Sequence, residues 1–144
     1  MDIFKGRNLL EFSDRFKTDL DCKEYLSSLK EQHTYHCIKC NHNACQIKID
    51  FARQCNVCGH KESATANTLF HKVKFGVRKA FFICFEMATS TKSLSASYMG
   101  VRYGVTEKTA RFFMLKVRES MSSSGNNPMN GNVHVDEFVL GGRE

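Results

Sequence analysis

Apolar and polar residues change their spacing several times along the chain. In NLLEFSDRFKTDLDCKEYLSSLKE (8–31) the spacing is helical and predicts one or two short helices. Leu9, Leu10, Phe12 and Phe16 fall near one face; Cys22, Tyr25, Leu26 and Leu29 recur behind a cap at Thr18 or Asp19. From 33 to 70 the character shifts. QIKIDF (46–51) alternates with period two and reads as a half-exposed strand, and ESATANTLF (62–70), rich in Thr and Ser, reads as another. Asn67 is a residue type that tolerates a left-handed turn. From 75 to 121 the helical spacing returns. FGVRKAFFICFEMAT (75–89) is apolar on most sides and predicts a central helix; SLSASYMGV (93–101) predicts a short one with Ser93 as its cap. RYG (102–104) reads as a tight turn, after which Thr106 caps a long helix, EKTARFFMLKVRESM (107–121). SSSGNNPMNGN is a linker by composition, and VHVDEFVLGGRE (133–144) reads as a strand.

These elements add up to an α+β chain of small modules. The expected boundaries are an N-terminal helical segment (1–32), a module of short β-hairpins (33–70), a helical domain (71–122), a linker (123–132) and a C-terminal strand (133–144). A chain of 144 residues accommodates one ordinary domain or two or three very small ones. No run of 18 apolar residues occurs, so no membrane partner is expected. MDIFKGRNLLEF lacks the charged-then-apolar build of a signal peptide, and a cytoplasmic location follows as the expectation. The balance of 21 Lys and Arg against 15 Asp and Glu gives a net charge of +6, which favours a polyanionic partner such as nucleic acid. Seven cysteines in a reducing compartment point to metal binding before disulfides.

Spacing supports the metal. Cys37-Ile38-Lys39-Cys40 is followed after 14 residues by Cys55-Asn56-Val57-Cys58. Each CxxC turns two thiolates toward one ion, and a hairpin between the pairs brings them together. Cys37, Cys40, Cys55 and Cys58 then form a closed tetrahedral site of the structural zinc-ribbon type. Two CxxC pairs also hold iron in rubredoxin-type centres, so spacing alone leaves zinc and iron open. His42, Cys45 and His60 lie close by and are expected to be bystanders; Cys22 and Cys84 sit on apolar helix faces and are expected to be core. The module has little apolar material, so a metal would supply much of its folding free energy.

On the helix at 107–121, Ala110, Phe113, Met114, Val117 and Met121 gather on one stripe, and Lys108, Arg111, Leu115 and Arg118 on another. A short helix, a turn containing Gly104 and a long helix with a basic outer face make a helix-turn-helix pattern, whose second helix would enter the major groove. Lys108, Thr109 and Arg111 are the candidates for base edges. Arg102 and Tyr103, taken as turn residues, are candidates for phosphate, and Arg118 extends the basic face.

The order of these pieces resembles bacterial insertion-sequence transposases with an N-terminal zinc ribbon, a helix-turn-helix and a DDE-type core. YLSSLKEQHTYHCIKC resembles the family's helix entering the first knuckle. TANTLFHKVKFGVRKAFF resembles the segment after the ribbon, with Asn67 where the family has Gly. SLSASYMGVRYGVTEKTARFFMLKVRESM resembles its helix-turn-helix, and VHVDEFVLGGRE the first strand of its core. The resemblance covers nearly the whole chain. It implies an RNase H-like core in which three acidic or equivalent residues hold two magnesium ions for phosphodiester chemistry. Asp136 matches the first of these; Glu137 matches the residue after it, which the family does not use as a ligand. The other two positions would lie beyond residue 144. The expectation is therefore an N-terminal portion that binds double-stranded DNA at transposon ends and is catalytically incomplete as it stands. Magnesium belongs only to the intact parent enzyme. Self-association, or association with an intact transposase, is also expected. The alternatives are a regulator or inhibitor of an intact transposase, or the first half of an enzyme completed by frameshifting.

Overall fold

The computed structural model describes residues 4–6 and 8–122. Its elements are α1 (Leu9–Arg15), α2 (Asp19–Glu31), β1 (Cys45–Ile47), β2 (Arg53–Cys55), β3 (Lys61–Glu62), α3 (Val77–Thr89), α4 (Ala96–Tyr103) and α5 (Glu107–Met121). The class is α+β. The linker at 123–132 and the strand at 133–144, with Asp136 and Glu137, lie outside the described residues. No helix among the described residues is long and apolar enough to cross a membrane.

The N-terminal stretch forms two helices. Asn8 caps α1 by accepting from the Leu10 N–H, and Thr18 caps α2 in a capping box with Asp21. The Thr18 N–H donates to Asp21 at 2.7 Å, and this bond holds the Asp21 carboxyl below its ordinary range. Phe12 and Phe16 are buried as the helical spacing predicts, whereas Leu10 is 72% exposed and Leu9 is also exposed.

α3 is the element shared by two apolar clusters. Val77 and Phe81 pack with Phe12, Phe16, Cys22 and Leu26. Ala80 and Ile83 pack with Met99, Ala110, Phe113, Met114 and Val117. The N-terminal helices therefore share a core with the helical domain. Cys22 is completely buried, and burial pushes its thiol up to about 12, with the Asp19 and Asp21 charges adding to it. Burial raises Cys84 as well. Both behave as core thiols. The N-terminus of α3 begins at Gly76, which has no side chain to cap it. Asp19 does so from α2, accepting from the Arg78 N–H at 2.7 Å.

The strands are shorter than the alternation predicts. β1 ends at Ile47, and the following residues turn back, with the Lys48 N–H donating to the Ala52 carbonyl and Phe51 at φ 59°. Ile49, the apolar residue that extended the pattern, is 96% exposed. The expected strand at 62–70 is only its first residue. Beyond it come consecutive turns, joined by Ala66 to Ser63, Thr68 to Thr65 and His71 to Thr68 backbone bonds. The hydroxyl of Thr68 bonds the Thr65 carbonyl at 2.6 Å, the local competition by which Thr and Ser divert a chain from a sheet. Asn67 does take the left-handed conformation, at φ 57°.

α4 starts two residues later than predicted. Ser95, not Ser93, caps it by accepting from the Tyr98 N–H at 3.1 Å. Arg102 and Tyr103 consequently belong to its last helical turn, and the turn proper begins at Gly104, left-handed at φ 61°. Thr106 caps α5 as expected. Ala110, Phe113, Met114 and Val117 are buried, but Met121, the last helical residue, is 50% exposed.

Gly100 sets how closely α4 meets the start of α5. A Cβ there would lie 2.8 Å from the Val105 carbonyl oxygen and 3.3 Å from the Glu107 nitrogen. Both are backbone atoms, which cannot step aside as a flexible side chain can. Gly100→Ala is expected to cost about 1–3 kcal/mol by overpacking, read as a lowered midpoint in thermal unfolding. An unchanged midpoint would show that the two helices can part without penalty.

Candidate metal centre and basic helix face

The ribbon formed by β1, β2, β3 and the four clustered cysteines is built from two copies of one turn. In the first, the Cys37 N–H donates to the His42 carbonyl and the Asn41 N–H to the Cys37 carbonyl. In the second, the Cys55 N–H donates to the His60 carbonyl and the Gly59 N–H to the Cys55 carbonyl. Asn41 and Gly59 hold equivalent left-handed positions, φ 58° and 69°. The sequence contains a cue to this, since Asn and Gly are the residues that take such a conformation most readily. His42 and His60 serve through their carbonyls.

β1 and β2 lie between the turns and β3 follows the second, forming an antiparallel sheet in the order β1-β2-β3, with Cys45 opposite Cys55 and Arg53 opposite both Ile47 and Glu62. This sheet brings the knuckles together. Cys37 and Cys58 sulfurs lie 3.4 Å apart, as do those of Cys40 and Cys55, and all four ligand atoms lie within 4.8 Å of one another. A disulfide would need about 2.05 Å. A tetrahedral ion with bonds of about 2.3 Å separates its sulfurs by about 3.8 Å, inside the observed spread. Cys45 packs against this cluster without joining it. The four predicted cysteines form a donor set that can hold a metal ion, consistent with structural zinc.

The electrostatics favour the same conclusion. The Cys37 thiol is held low chiefly by the Cys40 N–H aimed at its sulfur, with burial opposing and the Lys39 N–H assisting. Cys55 is lowered in the same way by the Cys58 and then the Val57 N–H. Cys40 receives the His42 N–H, but burial and the sulfurs of Cys55, Cys58 and Cys37 push it up. Backbone donors thus favour the charged form of the first cysteine in each knuckle. Four negative sulfurs this close together need a cation.

The ribbon is fastened to α2. Lys30 meets Glu62 at 3.0 Å with both side chains largely buried, and also reaches the Ser63 carbonyl at 3.3 Å. Arg53, itself buried, donates to the Ser27 carbonyl at 3.3 Å.

No family model, curated protein or solved structure matches the chain.

The residues predicted to meet DNA divide into two groups. Lys108, Arg111 and Arg118 are exposed on the outer face of α5, with Phe112 and Leu115 exposed beside them. Arg111 meets Glu107 at 3.2 Å in an open pair. Thr109 lies closer in, its hydroxyl 2.8 Å from that of the capping Thr106. Arg102 and Tyr103 are engaged elsewhere. Glu86 of α3 accepts from the Arg102 Nε at 2.6 Å and from the Tyr103 hydroxyl at 2.5 Å. Burial and then the Glu86 bond push the Tyr103 hydroxyl up to about 12. The guanidinium also donates to the Tyr98 hydroxyl at 3.2 Å. These residues join α4 to α3.

Elemental analysis of the purified protein is expected to find about one metal ion per chain, the stoichiometry of a closed tetrathiolate site. Cys55→Ser should abolish tight binding and unfold the ribbon while α3 to α5 stay helical. Acidification should release the ion, because protons compete for the thiolates. A ribbon whose NMR signals remain dispersed in metal-free Cys55→Ser would contradict the assignment.

Proposed function

We propose that the chain is a DNA-binding module in which zinc closes the ribbon and α4 and α5 act as a helix-turn-helix. On this reading it is the N-terminal portion of a DDE-type insertion-sequence transposase and recognises the element's terminal inverted repeats. The observation that carries the proposal is the pairing of α4 and α5. They meet closely at Gly100, turn through left-handed Gly104, and leave Lys108, Arg111 and Arg118 on the side of α5 opposite its buried stripe. The close junction gives a fixed angle to the second helix, and the cations suit a phosphate-lined groove. Exposed Phe112 and Leu115 beside them are apolar groups of the kind that contact a thymine methyl. Net charge +6 supports the same partner.

Arg102 is reassigned in this proposal from phosphate contact to bracing, because its charge is already spent on Glu86. Asp136, outside the described residues, keeps its proposed place as the first carboxylate of a DDE-type core, and two magnesium ions belong to that core.

Fluorescence anisotropy against duplexes from the DNA flanking the gene provides the test. Arg111→Ala and Lys108→Ala are expected each to weaken binding to the terminal repeats by about 1–3 kcal/mol where they reach bases. Where they reach phosphate, each should lower the salt slope by roughly one. Arg102→Met should lower thermal stability more than affinity. Unaltered binding in both α5 variants would remove α5 as the reading helix.

A further inference from the structure

The metal centre is sealed on one side and open on the other. Cys37 and Cys55 are buried, while Cys40 and Cys58 are exposed. Exposed thiolates can take hydrogen bonds from water, but buried ones must take them from the protein. Against the sealed side lies Tyr35, packed in one apolar cluster with Cys37 and Cys55 and only 8% exposed. Its hydroxyl is buried with no hydrogen-bond partner among the described residues, a state that ordinarily costs a free energy worth explaining. A protonated thiol is a poor acceptor, so the hydroxyl has little to gain from Cys37 until that sulfur carries charge.

A second observation concerns charge. Arg53 projects from β2 two residues before Cys55, on the same face of the strand, and is buried. It has no carboxylate within ion-pairing distance among the described residues, only the Ser27 carbonyl. Its guanidinium carbon lies 6.0 Å from the centre of the Tyr35 ring. A buried guanidinium without a carboxylate calls for negative charge nearby. Four thiolates around a divalent cation carry a net charge of two minus, which meets that need.

We infer that Tyr35 is a positioning residue of the metal centre: its hydroxyl donates a hydrogen bond to the Cys37 thiolate when the four cysteines hold a metal. The bond fixes the sulfur's orientation and disperses its charge on the side water cannot reach, while the two exposed sulfurs are served by solvent. Outer-shell donors of this kind typically change metal affinity tenfold to hundredfold. The inference rests on metal binding by the four cysteines, which the metal content of the unaltered protein tests separately. Metal uptake without any contribution from Tyr35 would overturn this inference alone.

The experiment compares the full chain with its Tyr35→Phe variant, loaded with zinc for chelator competition and with cobalt for spectroscopy. Phe keeps the ring and its packing and removes only the donor. The expected result is a tenfold to hundredfold weaker zinc affinity. The cobalt–thiolate charge-transfer band should also move to lower energy, because a sulfur relieved of a hydrogen bond gives up its electron more easily. A residue that only fills space would leave the band where it is. Affinity within twofold of the parent and an unmoved band would overturn the proposal. Should the variant fail to fold, the unaltered protein loaded with an NMR-active cadmium isotope decides. A through-bond correlation between the metal and the Tyr35 hydroxyl proton supports the bond; a slowly exchanging hydroxyl proton without that correlation refutes it.

Discussion

α3 buries side chains on two faces, and the rest of the helical architecture follows from that double burial. Val77 and Phe81 require cover on one side, Ala80 and Ile83 on another. A helix of this kind cannot remain at a surface, because leaving either stripe in water forfeits about 25 cal/mol for each Å² of apolar area. The chain supplies cover from both ends: α1 and α2 from the N-terminal side, α4 and α5 from the C-terminal side. The start of α3 depends on the same arrangement, since its capping acceptor is Asp19 at the beginning of α2. Docking α2 thus buries its apolar stripe and satisfies an orphan N–H of α3 together. The outer face of α5, with Phe112 and Leu115, stays exposed in this arrangement.

The ribbon is held by different means. Its buried apolar cluster is confined to Tyr35, Cys37 and Cys55, with Cys45 against them, far short of a self-sufficient core. Two equivalent turns and a sheet of two to three residues per strand bring four sulfurs together, and a bound ion would have to stabilise the module. The links from ribbon to α2 are polar: a largely buried Lys30–Glu62 pair and the Arg53 bond to Ser27. These links have directional geometry, so they fix the orientation of the ribbon on α2. α2 in turn is fixed on α3, and α3 on α5. A metal-loaded ribbon and the basic helix are therefore parts of one continuous packing chain.

Legibility in the sequence followed the range of the interaction concerned. The four cysteines were readable because a CxxC turn is local and its chemistry is carried by residue type. Thr106 was readable as a cap for the same reason, and Thr18 as one of two candidates beside Asp19, and the buried stripe of α5 followed from periodicity in all but its last residue, Met121. Strand length was not readable. QIKIDF alternates correctly, yet Ile49 has no surface to pack on, and alternation counts only where one face is buried. Ser93 and Ser95 are chemically identical caps, and the choice between them depends on where α4 docks. Gly100 was hidden for a similar reason: nothing in SYMGVRY marks this glycine as facing backbone five residues ahead. Arg102 was misread as a turn residue because its partner, Glu86, lies 16 positions away.

Two arginines, Arg102 and Arg111, were given similar roles from sequence, and their surroundings separate them. Arg111 pairs with Glu107 one helical turn earlier, both side chains more than half exposed. Such pairs contribute about 0–1 kcal/mol and are readily exchanged for another anion. Glu86 is only 13% exposed and binds both Arg102 and the Tyr103 hydroxyl at short distance. Pulling Arg102 away would leave a largely buried carboxylate short of a partner, a far larger penalty than opening a surface pair. A phosphate could therefore recruit Arg111 at little expense but would have to dismantle the α3–α4 junction to recruit Arg102. If the proposed reading of α5 holds, Arg111 is free to read DNA, whereas Arg102 is committed to holding α4, the helix that packs against α5, on α3.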